Sequence, residues 1–254
     1  MRIPAVLAFL AFATAGWCGT TNVAGGKEAS GQVWFQRLTG SVIGSGGAAV
    51  VSPREQAAPG LAVTLKTIGP FALDFSYTPL EVKTTFDSAT TFNFGGVSFS
   101  RSAGGTLDYN MPIFEGALRF IALDNKWFRV STSAVLKVAH ADVTLSTASE
   151  THHFNHTVPI PMAGVSGQVN ITNGFKAYGS MKFLDIGIGS LSSSVHDWEA
   201  GLILDWNPGN WHTFRVASGY RKLSVELADD KGKSDESSID VTHEGPFVEV
   251  ATSF

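Results

Sequence analysis

From Trp198 to Trp206 the chain alternates. Trp198, Ala200, Leu202, Leu204 and Trp206 fall on one face, and Glu199, Gly201 and Asp205 on the other. Side chains of a strand point alternately to opposite faces, so this stretch predicts a strand with one apolar and one polar side. Its apolar face carries tryptophan at both ends, as a lipid-facing barrel strand does between two aromatic girdles. Phe128, Val130, Ala134, Leu136 and Val138 alternate in the same way with Arg129, Ser131, Ser133 and Lys137. Phe71 to Tyr77 places Asp74 and Ser76 between apolar residues.

Tight-turn sequences divide the chain at Ile68-Gly69-Pro70, Asp124-Asn125-Lys126, Thr172-Asn173-Gly174 and Asn207-Pro208-Gly209-Asn210. Longer polar or Gly/Ser stretches lie between them, near 44–60, 84–104, 146–153, 189–195 and 228–238. The pattern predicts ten strands, near 31–43, 60–67, 71–83, 105–122, 127–145, 153–171, 175–188, 195–206, 211–227 and 239–254. An even count puts both termini with the short turns, as in outer-membrane barrels. Eight and twelve strands are the alternatives. Phe92, Phe94, Val97 and Phe99 either add a strand pair or belong to a folded loop.

Several strands change phase midway. Phe71 to Tyr77 gives way after Pro79 to Leu80 and Val82. Phe214 and Val216 give way past Gly219 to Leu223, Val225 and Leu227, and Ile239 and Val241 give way past Gly245-Pro246 to Val248 and Val250. A one-residue slip swaps the faces of a strand, so each change predicts a bulge or break at the Pro or Gly between. Phe247 to Phe254 reads as a last strand ending in phenylalanine, the form that barrel-insertion machinery reads, which makes Phe254 a candidate assembly signal.

Composition adjusts this picture. Of 254 residues, 18 are Lys or Arg and 22 are Asp or Glu, giving a net charge of -4 and only 16% charged residues, where soluble domains carry about a quarter. No Lys/Arg run exists, which argues against nucleic-acid binding. No apolar run after the N-terminus approaches the ~20 residues of a spanning helix. At the start, Met1-Arg2, the apolar Ile3 to Ala13 and Ala13-Thr14-Ala15 fit a signal peptide cut after Ala15. The expected organisation is therefore a signal peptide over 1–15, a flexible segment over 16–30 and a barrel over 31–254. Cys18 is the lone cysteine, so no internal disulfide forms. It is read as an unmodified thiol, because Trp17 before it is too large for a lipid-modified cysteine.

Gly31-Gln-Val-Trp-Phe35, Tyr77-Thr-Pro79, Val158-Pro-Ile-Pro-Met162, Gly219-Tyr-Arg221, Ile239-Asp-Val241 and Gly245-Pro-Phe-Val-Glu-Val250 occur in that order. In these motifs the chain resembles an uncharacterised family of Gram-negative outer-membrane β-barrel proteins. The resemblance implies a fold and a compartment and carries no activity with it.

Candidate chemistry is confined to the polar faces. Glu115, Arg119, Arg129, Lys137, Glu199, Asp205, Arg215 and Glu249 oppose apolar faces and would point into a closed barrel. A ten-stranded barrel is narrow, between filled eight-stranded and open sixteen-stranded ones, and charges buried there must pair. They are read as a structural ion-pair network, with a constriction selecting small polar solutes as the functional counterpart. His152, His153 and His156, beside Glu150, fall near an expected outer loop, lack a metal-ligand spacing and are read as solvated. His140 and Asp142 share a strand face near Ser131 and Ser133, which is the basis for an alternative reading as a lipid-modifying acyl hydrolase or transferase. The expectation is an all-β, antiparallel, up-and-down transmembrane barrel in the outer membrane. It would be a narrow channel or a structural or interaction barrel, with no metal and no cofactor. Its expected partners are outer-membrane lipids and the insertion machinery.

Overall fold

The short connections form as their sequences dictate. Asn125 Oδ1 accepts hydrogen bonds from the amides of Trp127 (2.8 Å) and Phe128 (3.0 Å), an Asx turn. Gly69 and Gly174 take positive φ (73° and 88°), which glycine alone adopts without strain. These turns and both ends of the described chain lie at one end of the molecule, the turn end; the other is the loop end.

The computed structural model describes residues 27–44, 47–66, 69–88, 92–94, 97–99, 105–147, 151–188, 191–206, 213–229 and 237–253. They hold no helix and fourteen strands. These are β1 (Lys27–Gly44), β2 (Gly47–Lys66), β3 (Phe71–Thr78), β4 (Glu81–Ser88), β5 (Phe92–Phe94), β6 (Val97–Phe99), β7 (Gly105–Asn110), β8 (Ile113–Asp124), β9 (Phe128–Ser146), β10 (Thr151–Thr172), β11 (Phe175–Ile188), β12 (Leu191–Trp206), β13 (Thr213–Asp229) and β14 (Ser237–Ser253). Strands β3 and β4 are two halves of one stave, interrupted at Pro79-Leu80, and β7 and β8 are halves of another, interrupted at Met111-Pro112. All neighbours are antiparallel, and β1 pairs with both β14 and β2, so ten staves close into a barrel. Residues 92–94 and 97–99 form a separate small hairpin, so the barrel does not become twelve-stranded.

The strands run longer than expected at several ends, with β4 reaching Ser88 and β12 beginning at Leu191, and the first two staves differ most in kind. The second stave begins at Gly47 rather than near residue 60, because its Gly/Ala/Pro sequence pairs along the whole length of β1. It carries one extra residue near Ser52-Pro53, seen as a register shift opposite Leu38 to Gly40. The first strand begins at Lys27, inside the segment expected to be flexible, because Glu28 is buried and ion-paired with Arg215.

The break expected at Pro79 is present, but it swaps no faces, and the phase changes have a different cause from the one expected. Registers of β13 with β12 and β14 run unshifted from end to end, and so does that of β14 with β1. No backbone slip occurs; the surroundings exchange instead. In the turn half the exterior is apolar: Phe71, Phe75, Phe114, Leu118, Leu202, Leu204, Trp206 and Val216 are all exposed. The inward positions there are mostly polar or small, with Ala117, Ile203 and Ala217 among the charged and hydroxyl side chains. In the loop half the inward positions are apolar and buried, with Trp34, Leu38, Leu80, Val82, Phe86, Leu223 and Phe247 at 2% exposure or less. The exterior there carries polar residues such as Lys83, Asp108, His153 and Asp240. Leu223 thus faces the same way as Arg215, into the lumen. Among the described residues, Val50 is the one large exposed apolar side chain in the loop half.

The apolar band spans the Trp206 to Trp198 interval. That is about 26 Å along the strand at ~3.3 Å per residue, or roughly 20 Å along the axis at a tilt of ~40°. Trp206 with Phe214 and Phe71 with Phe120 stack at its lower edge; Trp198 with Tyr220 and Tyr77 with Phe114 stack at its upper edge.

The hydrogen-bonded ladder is complete within this band and opens at its upper edge in two places. The β2–β3 ladder runs up to Leu61↔Tyr77. In that register the next hydrogen-bonding pair is Pro59 opposite Pro79, and neither has an N–H to donate. Leu80 and Met111 exchange backbone hydrogen bonds (3.3 and 2.6 Å), so the odd residues of this stave are the ones facing β2. Pairing resumes only at Val51↔Phe86, with Thr84 Oγ1 donating to the Ser52 carbonyl (2.8 Å) across the gap. The second opening is between β10 and β11. Their ladder ends at Ala163↔Phe183, and the next two positions on β10 are Pro161 and Pro159. Even residues of β10 face β9, as the Asn170 amide does in donating to Trp127 O (2.7 Å), so both proline nitrogens face β11.

Candidate functional site

The lumen of the turn half is the polar site. Alternation carries Glu115, Arg119, Arg129, Lys137, Glu199, Asp205, Arg215 and Glu249 inward from five staves. Most line or border a cavity of about 300 Å³ that also meets Tyr178, Ser131 and Gln168.

Its charges are paired in tiers. At the turn end Arg129 Nη2 meets Asp124 (2.7 Å), in the mouth. Above it, Arg215 Nη1 bonds both oxygens of Glu28 (2.8 and 2.9 Å) while its Nε bonds Asp205 (3.1 Å), and Lys176 also pairs with Asp205. On the opposite wall Arg119 Nη2 donates to Asp74 (2.9 Å), which also accepts from Thr64 Oγ1 (2.7 Å). The top tier is the most buried. Lys137, 1% exposed, sits between Asp197 and Glu115 (3.0 Å to the latter). Lys182 bonds the other oxygen of Glu115 (2.6 Å), and Arg221 grips Asp197 with Nε and Nη2 (3.0 and 2.8 Å). Each cation here has a carboxylate and each of those carboxylates a cation, as burial of charge requires. Glu199 lies opposite Arg221 in register, and Glu249 opposite Gln32; both line the cavity.

The polar lumen stops at this tier. The Arg221 guanidinium lies over the Trp34 ring, 4.9 Å from its centre, and the Trp34 Nε1 donates to the Gly245 carbonyl (3.2 Å). From Trp34 upward the interior is packed with buried apolar side chains. One polar pair is embedded among them: His243 Nδ1 and Gln36 Oε1, 2.7 Å apart, both residues at most 1% exposed.

The expected set is brought together in part. Lys137 joins Glu115, and Arg215 joins Asp205, whereas Glu115 and Arg119 bond different partners. Sequence reasoning missed Glu28, Asp74, Lys176, Lys182, Asp197 and Arg221. Asp197 shares the parity of Glu199, and Arg221 that of Arg215, so continuing the alternation by a few residues finds them.

Two other groups fall elsewhere. His140 and Asp142 lie on the exterior, where His140 Nδ1 meets Thr157 Oγ1 (2.9 Å). Ser131 faces the lumen, 2% exposed, and bonds Ser166 (2.8 Å), and Ser133 lines the cavity. The sheet therefore separates that acid–base pair from both serines, and the hydrolase constellation is not assembled. His152, His153 and His156 lie in β10 rather than in a loop, because β10 extends to Thr151. His153 is exposed, 3.5 Å from Asp142. Among the described residues no cluster of three or more His, Cys, Asp or Glu is arranged to hold a metal. Cys18, Glu150 and Phe254 lie outside the described residues.

No protein-family model and no curated protein sequence matches the chain. Solved structures do match. The outer-membrane protease OmpT of Escherichia coli aligns over 95% of this chain and 100% of that one, with a TM-score of 0.57 and 8% identity. The fold is that of an outer-membrane β-barrel. Weaker likenesses are to the transport unit of the autotransporter AIDA-I from Escherichia coli (TM-score 0.43, 7% identity, 95% and 97% covered) and to a Pseudomonas aeruginosa FadL homologue (0.39, 8%, 90% and 90%). At these identities the likeness concerns the backbone of the barrel and not its chemistry.

Proposed function

We propose that this protein is an integral outer-membrane barrel, exported with a cleaved signal peptide over 1–15, that serves as a non-conducting structural or interaction scaffold. Its turn end lies in the periplasm and its loop half stands above the outer leaflet. The insertion machinery reads its last strand, and Phe254 completes that signal. Membership of the uncharacterised barrel family suggested by the ordered motifs is part of the same reading.

The observation that carries the non-conducting reading is the apolar packing above the Lys137 tier. Trp34, Leu80, Val82, Phe86, Leu223 and Phe247 fill the lumen where a channel would need a continuous wet path. The cavity of the turn half is then a dead-end vestibule, and its ion pairs neutralise the inward charges of a closed wall. Single-channel recording of the folded, full-length protein in planar bilayers tests this. Flat traces are expected. Regular conductance steps would overturn the reading and restore a narrow channel.

A further inference from the structure

Beyond the band the barrel is not one closed wall. The β10–β11 opening has a consequence that the β2–β4 gap lacks, because β2 and β4 pair again at their tips whereas β10 and β11 do not. The β11–β12 ladder ends at Ile188↔Leu191. In the register of Ala163↔Phe183, Ile188 reaches only the level of Val158. Strand β10 continues past that level to Thr151 while paired on its other side to β9, through Thr151↔Ser146, His153↔Thr144, Asn155↔Asp142 and Thr157↔His140. Since odd residues of β10 direct their backbone away from β9, the amides and carbonyls of His153, Asn155 and Thr157 face the open side. Asp185, across the opening, is engaged with its own hairpin through Ser194 Oγ (2.7 Å) and His196 (3.3 Å).

Proteins usually guard such an edge with proline, lysine or a bulge. Here the prolines stand at 159 and 161, below the edge, where they keep β11 from zipping onto β10. Residues 151–157 contain neither proline nor lysine, and their β9 register is unshifted. The outward side chains of Thr151, His153, Asn155 and Thr157 are exposed and uncharged or weakly basic, and those of His153 and Thr157 bond back to Thr144 and His140 of β9 rather than across the edge.

We infer that the β10 edge from Thr151 to Thr157 is a docking site for an extended polypeptide segment, which adds to the sheet as a further strand beside β10. The occupant's class follows from the groups on offer. N–H and C=O pairs that are unpaired among the described residues and recur every second residue, about 6.8 Å apart, match an extended backbone and neither a glycan nor an acyl chain. Main-chain pairing supplies the affinity, and the polar outward row favours a partner rich in threonine, serine or asparagine at the facing positions. The inference names a partner class for the interaction-scaffold reading and rests on it.

Hydrogen exchange read by NMR on the full-length protein in nanodiscs tests the site, with a blocked heptapeptide of alternating threonine and valine as the probe. Saturating peptide is expected to slow exchange at the His153, Asn155 and Thr157 amides at least tenfold. The double variant His153→Pro/Asn155→Pro removes two edge donors that have no backbone partner among the described residues, and is expected to abolish that protection. The double variant His153→Ala/Asn155→Ala is expected to keep it. Absence of protection at millimolar peptide overturns the inference, as does loss of binding in the alanine variant, which would mean side-chain recognition. Equal protection by lipopolysaccharide vesicles in the wild-type and proline proteins overturns it as well. If the proline variant loses its compact unboiled gel mobility, the wild-type and alanine measurements decide. Conductance steps would sink the closed-barrel reading and leave these amides untouched, whereas a silent peptide titration would sink the edge and leave that reading standing.

Discussion

Lys137 shows what a single residue does in this lumen. It is 1% exposed and bridges Glu115 and Asp197 across three staves. Lys137→Met removes the shared cation and leaves two carboxylates to Lys182 and Arg221 alone. Breaking a buried pair from one side typically costs about 3–5 kcal/mol. Urea titration followed by gel mobility of the folded form is therefore expected to show a much lower unfolding midpoint; an unchanged midpoint would mean that the tier is dispensable. Gly245 is a second such position. A Cβ there would sit 1.9 Å from the Phe35 carbonyl oxygen, so Gly245→Ala must push β1 and β14 apart. It is expected to destabilise the fold by about 1–3 kcal/mol, the range for overpacking, in the same titration. The inward direction of the charged groups was legible in alternation; that of the apolar plug was not, because each change of phase reads as a bulge or break rather than as an exchange of surroundings. The partners were not, because pairing depends on which staves face each other across the lumen. Glu28 and Arg215 stand 187 positions apart in sequence and meet only when the barrel closes.

At the scale of strands, proline placement decides where the wall is sealed. Pro59 opposes Pro79 at the first hydrogen-bonding position above the band, and Pro161 and Pro159 do the same to β10. Within lipid every backbone group must be satisfied internally, so a barrel can forgo its ladder only where water reaches the edge. The double variant Pro59→Val/Pro79→Val returns two donors and is expected to let the β2–β4 ladder close, at about 0.5–1.5 kcal/mol per new hydrogen bond. Slower amide exchange at Ala57 and Glu81 would report it; unchanged exchange would mean that the extra residue near Ser52, not the prolines, holds the gap open. This also explains what sequence patterning found and missed. Strands inside the band were legible because lipid on one side and polar lumen on the other enforce a strict alternation. The 47–60 half of β2 was not, because beside a water-exposed gap nothing demands large apolar residues at alternate places, and its run of Gly, Ala, Pro and charged residues reads as a loop. The motifs Tyr77-Thr-Pro79, Val158 to Met162, Gly219-Tyr-Arg221 and Gly245 to Val250 fall at this boundary between sealed and open wall.

The whole molecule reconciles its composition with its placement. A mean hydropathy of +0.11 averages four surfaces: apolar outside and polar inside in the turn half, polar outside and apolar inside in the loop half. The inversion makes a prediction about orientation that either half alone does not. A polar-surfaced cap on an apolar plug must project into water together with the open β10 edge, and on the proposed reading, with the turn end in the periplasm, the loop half is expected outside the cell. In a Cys18→Ser background, Lys83→Cys places a thiol on the loop-half exterior, where Lys83 is 71% exposed in its side chain. Lys126→Cys places one in the exposed turn beside Trp127. A membrane-impermeant maleimide is expected to label the first on intact cells and the second only after the outer membrane is permeabilised. The reverse pattern would invert the barrel. A band of exposed Phe, Leu and Trp about 20 Å tall needs a bilayer to cover it, so labelling of both in the soluble fraction, with identical gel mobility before and after boiling, would overturn the membrane reading altogether.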